Sequence, residues 1–139
     1  MTCMTKNALL AGAVAVVLTA CASYAPISDS DRLALYQAHA GAPVRNISYF
    51  NPMSWEEVDD EHIVVRMRPT ESWLMRLSGP CLRLGDGSPV IAISSSAGRT
   101  SSGFDKVHVG GSEASCIIKE IRPVDMQAIS AARKASSGT

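Results

Sequence analysis

The sequence predicts an α+β domain: a small antiparallel sheet of about five or six short strands, with an N-terminal and a C-terminal helix and one disulfide. Three observations predict it. Apolar residues alternate with a period of two in several short runs after residue 43, and each run ends at a Gly, Pro or Asn-Pro turn signal. Helix-period runs occur only before and after these segments, the arrangement of an α+β rather than an α/β chain. At 139 residues there is room for one domain.

The elements follow in order. Residues 21–28 read as a tether containing Pro26, and residues 29–135 as the single globular domain, with a frayed tail at 136–139. Ser28-Asp29-Ser30 offers N-cap side chains. Leu33, Tyr36 and Ala40 then share a helical face, and Gly41 and Pro43 end the helix. Residues 44–50 are a first strand closed by Asn51-Pro52, and residues 54–58 are ambiguous, short enough for a single turn.

Residues 62–68 give the clearest strand: Ile63, Val65 and Met67 point one way, His62, Val64, Arg66 and Arg68 the other. Residues 72–77 alternate again, with Trp73, Met75 and Leu77 on one side, before Gly79-Pro80. Asp86-Gly87 signals a turn into a strand at 89–94 with Val90, Ile91 and Ile93 buried. Residues 94–102, rich in Ser and Gly, read as an exposed loop or hairpin tip. Strands follow at 104–109 and 116–121 around Gly110-Gly111, and Pro123-Val124-Asp125 opens a helix to about Lys134.

The first twenty residues belong to none of this. Behind Lys6 runs an unbroken small and apolar stretch, residues 8–18, whose helical length of roughly 16 Å covers about half of a bilayer core of ~30 Å. A short basic region followed by such a run is a signal peptide, not a span, and Met4 offers an alternative start. Leu18-Thr19-Ala20-Cys21 resembles the lipobox of bacterial lipoproteins. A thiolate accepts a diacylglyceryl group through a thioether, and small residues before it let the extended leader enter the peptidase. The resemblance implies cleavage after Ala20, lipidation of Cys21 with palmitate-type chains, and a membrane anchor stabilised by about 0.8 kcal/mol per buried methylene. Ala22-Ser23 lack the Asp that retains lipoproteins at the inner membrane. The expected location is therefore the inner leaflet of the outer membrane, with the domain facing the periplasm.

Cleavage removes one charged side chain, Lys6, from 13 basic and 13 acidic residues, leaving a mature charge of −1 with no basic stripe. Phosphate neutralisation is excluded as a binding mode, so no nucleic-acid partner is expected. Cys3 leaves with the leader and Cys21 carries lipid, so Cys81 and Cys116 remain as one pairing in an oxidising compartment; two free buried thiols are the alternative. The absence of a Cys-x-x-Cys spacing argues against a redox-active pair.

Trp55, Asp60-Glu61-His62-Ile63-Val64-Val65, Gly79-Pro80-Cys81, Phe104-Asp105-Lys106-Val107, Cys116-Ile117 and Glu120-Ile121-Arg122-Pro123-Val124-Asp125 together resemble a family of small Gram-negative envelope lipoproteins built on a domain of unknown function. The likeness covers most of residues 44–125. It implies a secreted domain with its two cysteines paired, and it brings no activity, cofactor or catalytic residue.

Candidate chemistry is sparse. Residues 56–62, Glu56-Glu57-Val58-Asp59-Asp60-Glu61-His62, carry cation ligands but lack the spacing of a calcium loop or a zinc helix, and read better as a solvated acidic loop. His62 and His108 sit on strands and form a ligand pair or acid–base centre only if the fold brings them together. Trp73 reads as core. Trp55, beside acids and near Tyr49 and Phe50, reads as rim packing or as the wall of a groove, so Trp55, His62 and His108 are the candidate binding surface. Asp105 and Glu120 are expected in surface ion pairs with Arg66, Arg68 or Arg122. Ser94-Ser95-Ser96 lacks a nucleophile elbow.

The expected role is non-catalytic: a lipid-anchored binding or structural module contacting an envelope protein or peptidoglycan, with no metal or cofactor. Two rivals are an inhibitor of a hydrolase such as lysozyme or a protease, acting through residues 94–102, and a metal-dependent enzyme using His62 and His108.

Overall fold

The computed structural model describes residues 26–81, 90–111 and 113–138. The leader, Cys21 and the Asp86-Gly87 turn lie outside them. The order is α1 (Asp29–Ala38), β1 (Asn46–Ser48), β2 (Ser54–Asp59), β3 (His62–Arg68), β4 (Glu71–Leu77), β5 (Ile91–Ile93), β6 (Arg99–Ser101), β7 (Lys106–Val109), β8 (Ser115–Pro123) and α2 (Met126–Ser137). Six strands form one curled antiparallel sheet in the order β2-β3-β4-β8-β7-β5, and β1 pairs with β6 in a second, two-stranded sheet. The expected α+β architecture, with a helix at each end and Cys81 bonded to Cys116 across a Cα separation of 6.1 Å, is what the chain adopts.

Alternation divides the large sheet into two faces. Ile63, Val65, Met67, Met75, Leu77, Val107, Val109, Cys116, Ile118 and Ile121 fill one core, which Ile47 of β1 completes. Val58, Val64 and Leu74 form the other, under Tyr36 of α1 and Ile129 of α2. Val64 therefore lies on the face expected of it, but the helices bury that face. Both helices start from side-chain caps: Ser28 Oγ accepts from the Asp31 amide at 3.2 Å, and Asp125 Oδ1 accepts from Gln127 and Ala128 at 3.0 Å each. Arg133 Nη2 donates to Tyr36 Oη at 2.8 Å and ties α2 to α1.

Several elements differ from the sequence expectation. Residues 54–59 are a strand rather than a turn, because as the edge strand they pair with β3 and pack Trp55 against the first core, while Glu56 and Glu57, on opposite faces, stay half-buried. A bulge at Val58 turns that side chain into the helix-side core and leaves Asp59 opposite His62. Val90 is 76 % exposed because β5 starts only at Ile91. Pro123 ends β8 instead of opening α2, whose cap is Asp125, and α2 continues to Ser137, through residues read as fraying.

Residues 94–102, read as a loop or hairpin tip, hold a tip at Ser96–Arg99 and the whole of β6. Ser96 and Arg99 exchange backbone hydrogen bonds of 2.8 and 3.0 Å, and Ala97 and Gly98 have φ of +52° and +71°, the mark of a type I′ turn. The hairpin is fixed at its base by Asp105, only 2 % exposed, whose carboxylate accepts from Ser94 Oγ and the Ser101 amide at 2.7 Å each. Asp105 is thus a buried acceptor for a turn and not half of a surface ion pair.

Two stability measurements check this description. An L-residue in the left-handed region costs about 1–2 kcal/mol, partly offset by glycine's chain entropy. Ala97→Gly is therefore expected to raise the unfolding free energy in urea by about 0.5 kcal/mol, and Gly98→Ala to lower it by about 1 kcal/mol. Reduction of the bond between Cys81 and Cys116, which are 35 residues apart, is expected to remove about 3–4 kcal/mol in the chain-entropy relation, read as a lower urea midpoint.

Candidate functional site

The helix-covered face is apolar only in its middle, and its two ends are polar. At one end, β3, β4 and β8 align His62, Arg76 and Glu120 in register, with Arg122 beside Glu120. His62 Nδ1 lies 2.8 and 3.0 Å from the two Asp59 oxygens, and Asp59 Oδ1 also accepts from the Glu61 amide at 2.8 Å. The acidic stretch is thus a strand and a tight turn whose aspartate orients a histidine, rather than a solvated loop. Arg122 Nε donates to Glu120 Oε1 at 2.7 Å, and this hydrogen bond holds the Glu120 carboxyl below its ordinary value against a smaller effect of burial. A pocket of about 310 Å³ lies over these residues and is closed by Gln37 of α1.

At the other end, a cleft of about 1010 Å³ opens between α2, the β3–β4 turn and the segment after α1. Its walls include His39, Arg66, Thr70, Ser72, Asp125, Gln127, Ser130 and Lys134. Register places Ser54, Arg66 and Ser72 side by side across β2, β3 and β4. Arg66 makes no ion pair or side-chain hydrogen bond among the described residues, whereas Arg122 is paired and Arg32 bonds Asp29 and the Val58 carbonyl.

The candidate residues are not brought together. Trp55 packs on the rim of the first core, on the face opposite His62. His108 lies exposed on β7 opposite Ala92 and Ser115. With β4 and β8 between β3 and β7, the two histidines are three strand spacings apart across the sheet, about 14 Å, and their rows meet β8 at Glu120 and Ser115, five residues apart along it. A metal enzyme built on His62 and His108 needs a pair that the strand order separates. Among the described residues no group of three or more His, Cys, Asp or Glu side chains is placed to hold a metal ion. Of the expected acid–base contacts, Glu120–Arg122 forms, while Asp105 meets a hydroxyl and a backbone amide instead.

A family model matches residues 4–138, nearly the whole chain. The chain belongs to a family of unknown function, DUF6491. No match is found among curated proteins or among solved structures. For this DUF6491 member the family supplies no catalytic assignment, and the clefts must be read from their own chemistry. Neither was legible beforehand: Arg66 and Arg68 look alike in sequence, and only the packing of α2 separates them. Arg66 lines the cleft, while Arg68 stacks on Phe50 with its guanidinium 3.7 Å from the ring centre.

One acid near the helix-side core is destabilised by its surroundings. Burial, and then the charges of Asp60 and Asp29, raise the Glu57 carboxyl above its ordinary value, with Arg32 opposing. A raised folded pKa favours the protonated form, so the stability it contributes is present at low pH and lost as pH rises through that value. Glu57→Gln is therefore expected to be more stable than the parent at pH 7 and equal to it at about pH 3.5. Paired urea titrations at the two pH values test the sign; a gain of the same size at both removes the assignment.

Proposed function

We propose that the chain is an exported lipoprotein whose single domain, held at the envelope by acyl chains on Cys21, acts as a non-catalytic binding module facing the periplasm. The observation that carries this reading is Leu18-Thr19-Ala20-Cys21 placed directly after a short apolar run. The Cys81–Cys116 bond supports it, since such bonds persist in oxidising compartments. No helix among the described residues is long and apolar enough to cross a membrane, so the lipid is the proposed attachment. The geometry of a short leash also fits. Residues 22–28 span at most about 25 Å when extended, which would hold the Ser28 cap and α1 close to the headgroups.

Polar side chains in the clefts on the helix face support the binding reading: His62, oriented by Asp59, shares the small pocket with Gln37, Arg76, Glu120 and Arg122. A second reading, inhibition of a hydrolase, is favoured by one observation: the type I′ tip at Ser96–Arg99 is exposed and pinned by Asp105, the preorganised shape that entry into an enzyme's cleft requires.

Intact mass and fractionation of the full chain expressed in a Gram-negative host test the leading reading. The parent is expected to lose residues 1–20, gain the mass of acyl chains and sediment with membranes. Cys21→Ser is expected to keep its leader and carry no lipid. A Cys21→Ser chain cut after Ala20 and distributed like the parent overturns the proposal.

A further inference from the structure

We infer that the cleft between α2 and the β3–β4 turn binds a ligand carrying a single carboxylate, anchored by the guanidinium of Arg66. The inference rests on the reading of the domain as a binding module and names the chemistry of what it binds.

Among the described residues three arginines are partly buried: Arg32, Arg66 and Arg122. No buried side-chain nitrogen or oxygen among the described residues lacks a hydrogen-bond partner, so the unpaired guanidinium of Arg66 keeps its nitrogens open to the cleft. Arg32 has Asp29 at 3.1 Å and the Val58 carbonyl at 2.9 Å, and Arg122 has Glu120 at 2.7 Å. Arg66 alone of the three has no acceptor among the described residues, and it lines the larger cleft. Its register partner Ser72 lines the same cleft, is only 6 % exposed, and makes no side-chain hydrogen bond among the described residues. A fork of donors and a neighbouring unpartnered hydroxyl, both on rigid strands, suit a planar two-oxygen acceptor.

The rest of the lining narrows the charge of the ligand. Lys134 adds positive potential at the cleft, so an anion is favoured over a cation. The amides at the start of α2 do not complete a phosphate cradle, because Asp125 already accepts from Gln127 and Ala128. The Asp125 carboxylate also puts a fixed negative charge on the wall, which opposes a dianion more than a monoanion. A monoanionic carboxylate gains from Arg66 without that double repulsion. The volume of about 1010 Å³ leaves room for a ligand body well beyond the carboxylate itself.

The test is a nuclear magnetic resonance titration of the full chain in detergent micelles, read at the Arg66 side-chain Nε–Hε and the backbone amides of Ser72 and Gln127. Three probes are compared: an N-acetylated dipeptide with a free C-terminal carboxylate, its C-terminal amide, and inorganic phosphate. The acid is expected to bind at least tenfold more tightly than either of the others. Arg66→Gln is expected to abolish that advantage, Arg66→Lys to keep part of it, and Lys106→Gln, an exposed change on β7, to leave it intact. The comparison of acid with amide needs no variant, so a misfolded Arg66→Gln cannot shelter the inference. Equal binding of acid and amide, no binding of the acid, phosphate as tight as the acid, or an unchanged Arg66→Gln each overturns it. A failed titration on a chain whose mass shows the acyl chains overturns the carboxylate site alone, while a chain without lipid overturns the anchor whatever the titration gives.

Discussion

The fold depends on β8 being hydrogen-bonded along both edges. One edge pairs with β4 through residues 118–123, and the other pairs first with β7 through residues 115–117, then with the segment after α1 at Val44 and Ala40. The nine residues of one strand therefore join the large sheet, the return of the N-terminal helix and, through Gly103 and Asp105, the turn that follows β6. A strand used on both edges leaves no unpaired template along its length. Its side chains serve two cores: Cys116, Ile118 and Ile121 enter the first, and Val124, just beyond it, enters the second. Lys119, the extra residue at the bulge opposite β4, allows Ile118 and Ile121 to face the same way despite their spacing.

The disulfide and the Asp105 junction both secure the first residues of β8, each from a different neighbour. Cys81 and Cys116 tie the exit of β4 to the start of β8, where the two strands no longer pair directly. Asp105 ties the β6 end of the hairpin to the start of β7 and, through its own carbonyl, to the Ile118 amide at 2.9 Å. A carboxylate in such a position replaces ladder hydrogen bonds that a tight change of direction cannot make. Removing it would leave both the Ser101 amide and the Ser94 hydroxyl without their acceptor.

The strands with strict alternation were legible in sequence because period two, burial and turn signals agreed there: β3, β4 and the caps of α1 follow from residue types alone. The α+β class follows from the same agreement. What could not be read was set by contacts distant in sequence. Glu56 and Glu57 look like loop residues until β3 lies beside them. Asp105 looks like a surface acid until residues 94–101 fold over it. The candidate site was the least legible part. His62 and His108 have the same local pattern, yet strand order puts two strands between them, and nothing local to Arg66 shows that α2 will form one wall of a cleft beside it.

That cleft has a geometric cause. The strands β3 and β4 are seven residues long, about 23 Å, and the sheet is six strands wide, about 24 Å between its outer strands. The helices that must cover one face are about 15 and 18 Å long. Two such cylinders shield the middle of the face and no more, so Val58, Val64 and Leu74 are apolar while the flanking rows carry His62, Arg76 and Glu120 at one end and Ser54, Arg66 and Ser72 at the other. Short helices on a wider sheet thus leave a polar margin at each end of the covered face. The first margin pairs His62 with Asp59 and Arg122 with Glu120, leaves Arg76 exposed, and holds the smaller pocket. The second leaves its central guanidinium without an acceptor among the described residues, and its pocket is about three times larger. Of two margins produced by the same mismatch, the second joins the wider cleft to a half-buried guanidinium that no described side chain pairs, a difference that the packing of α2 creates.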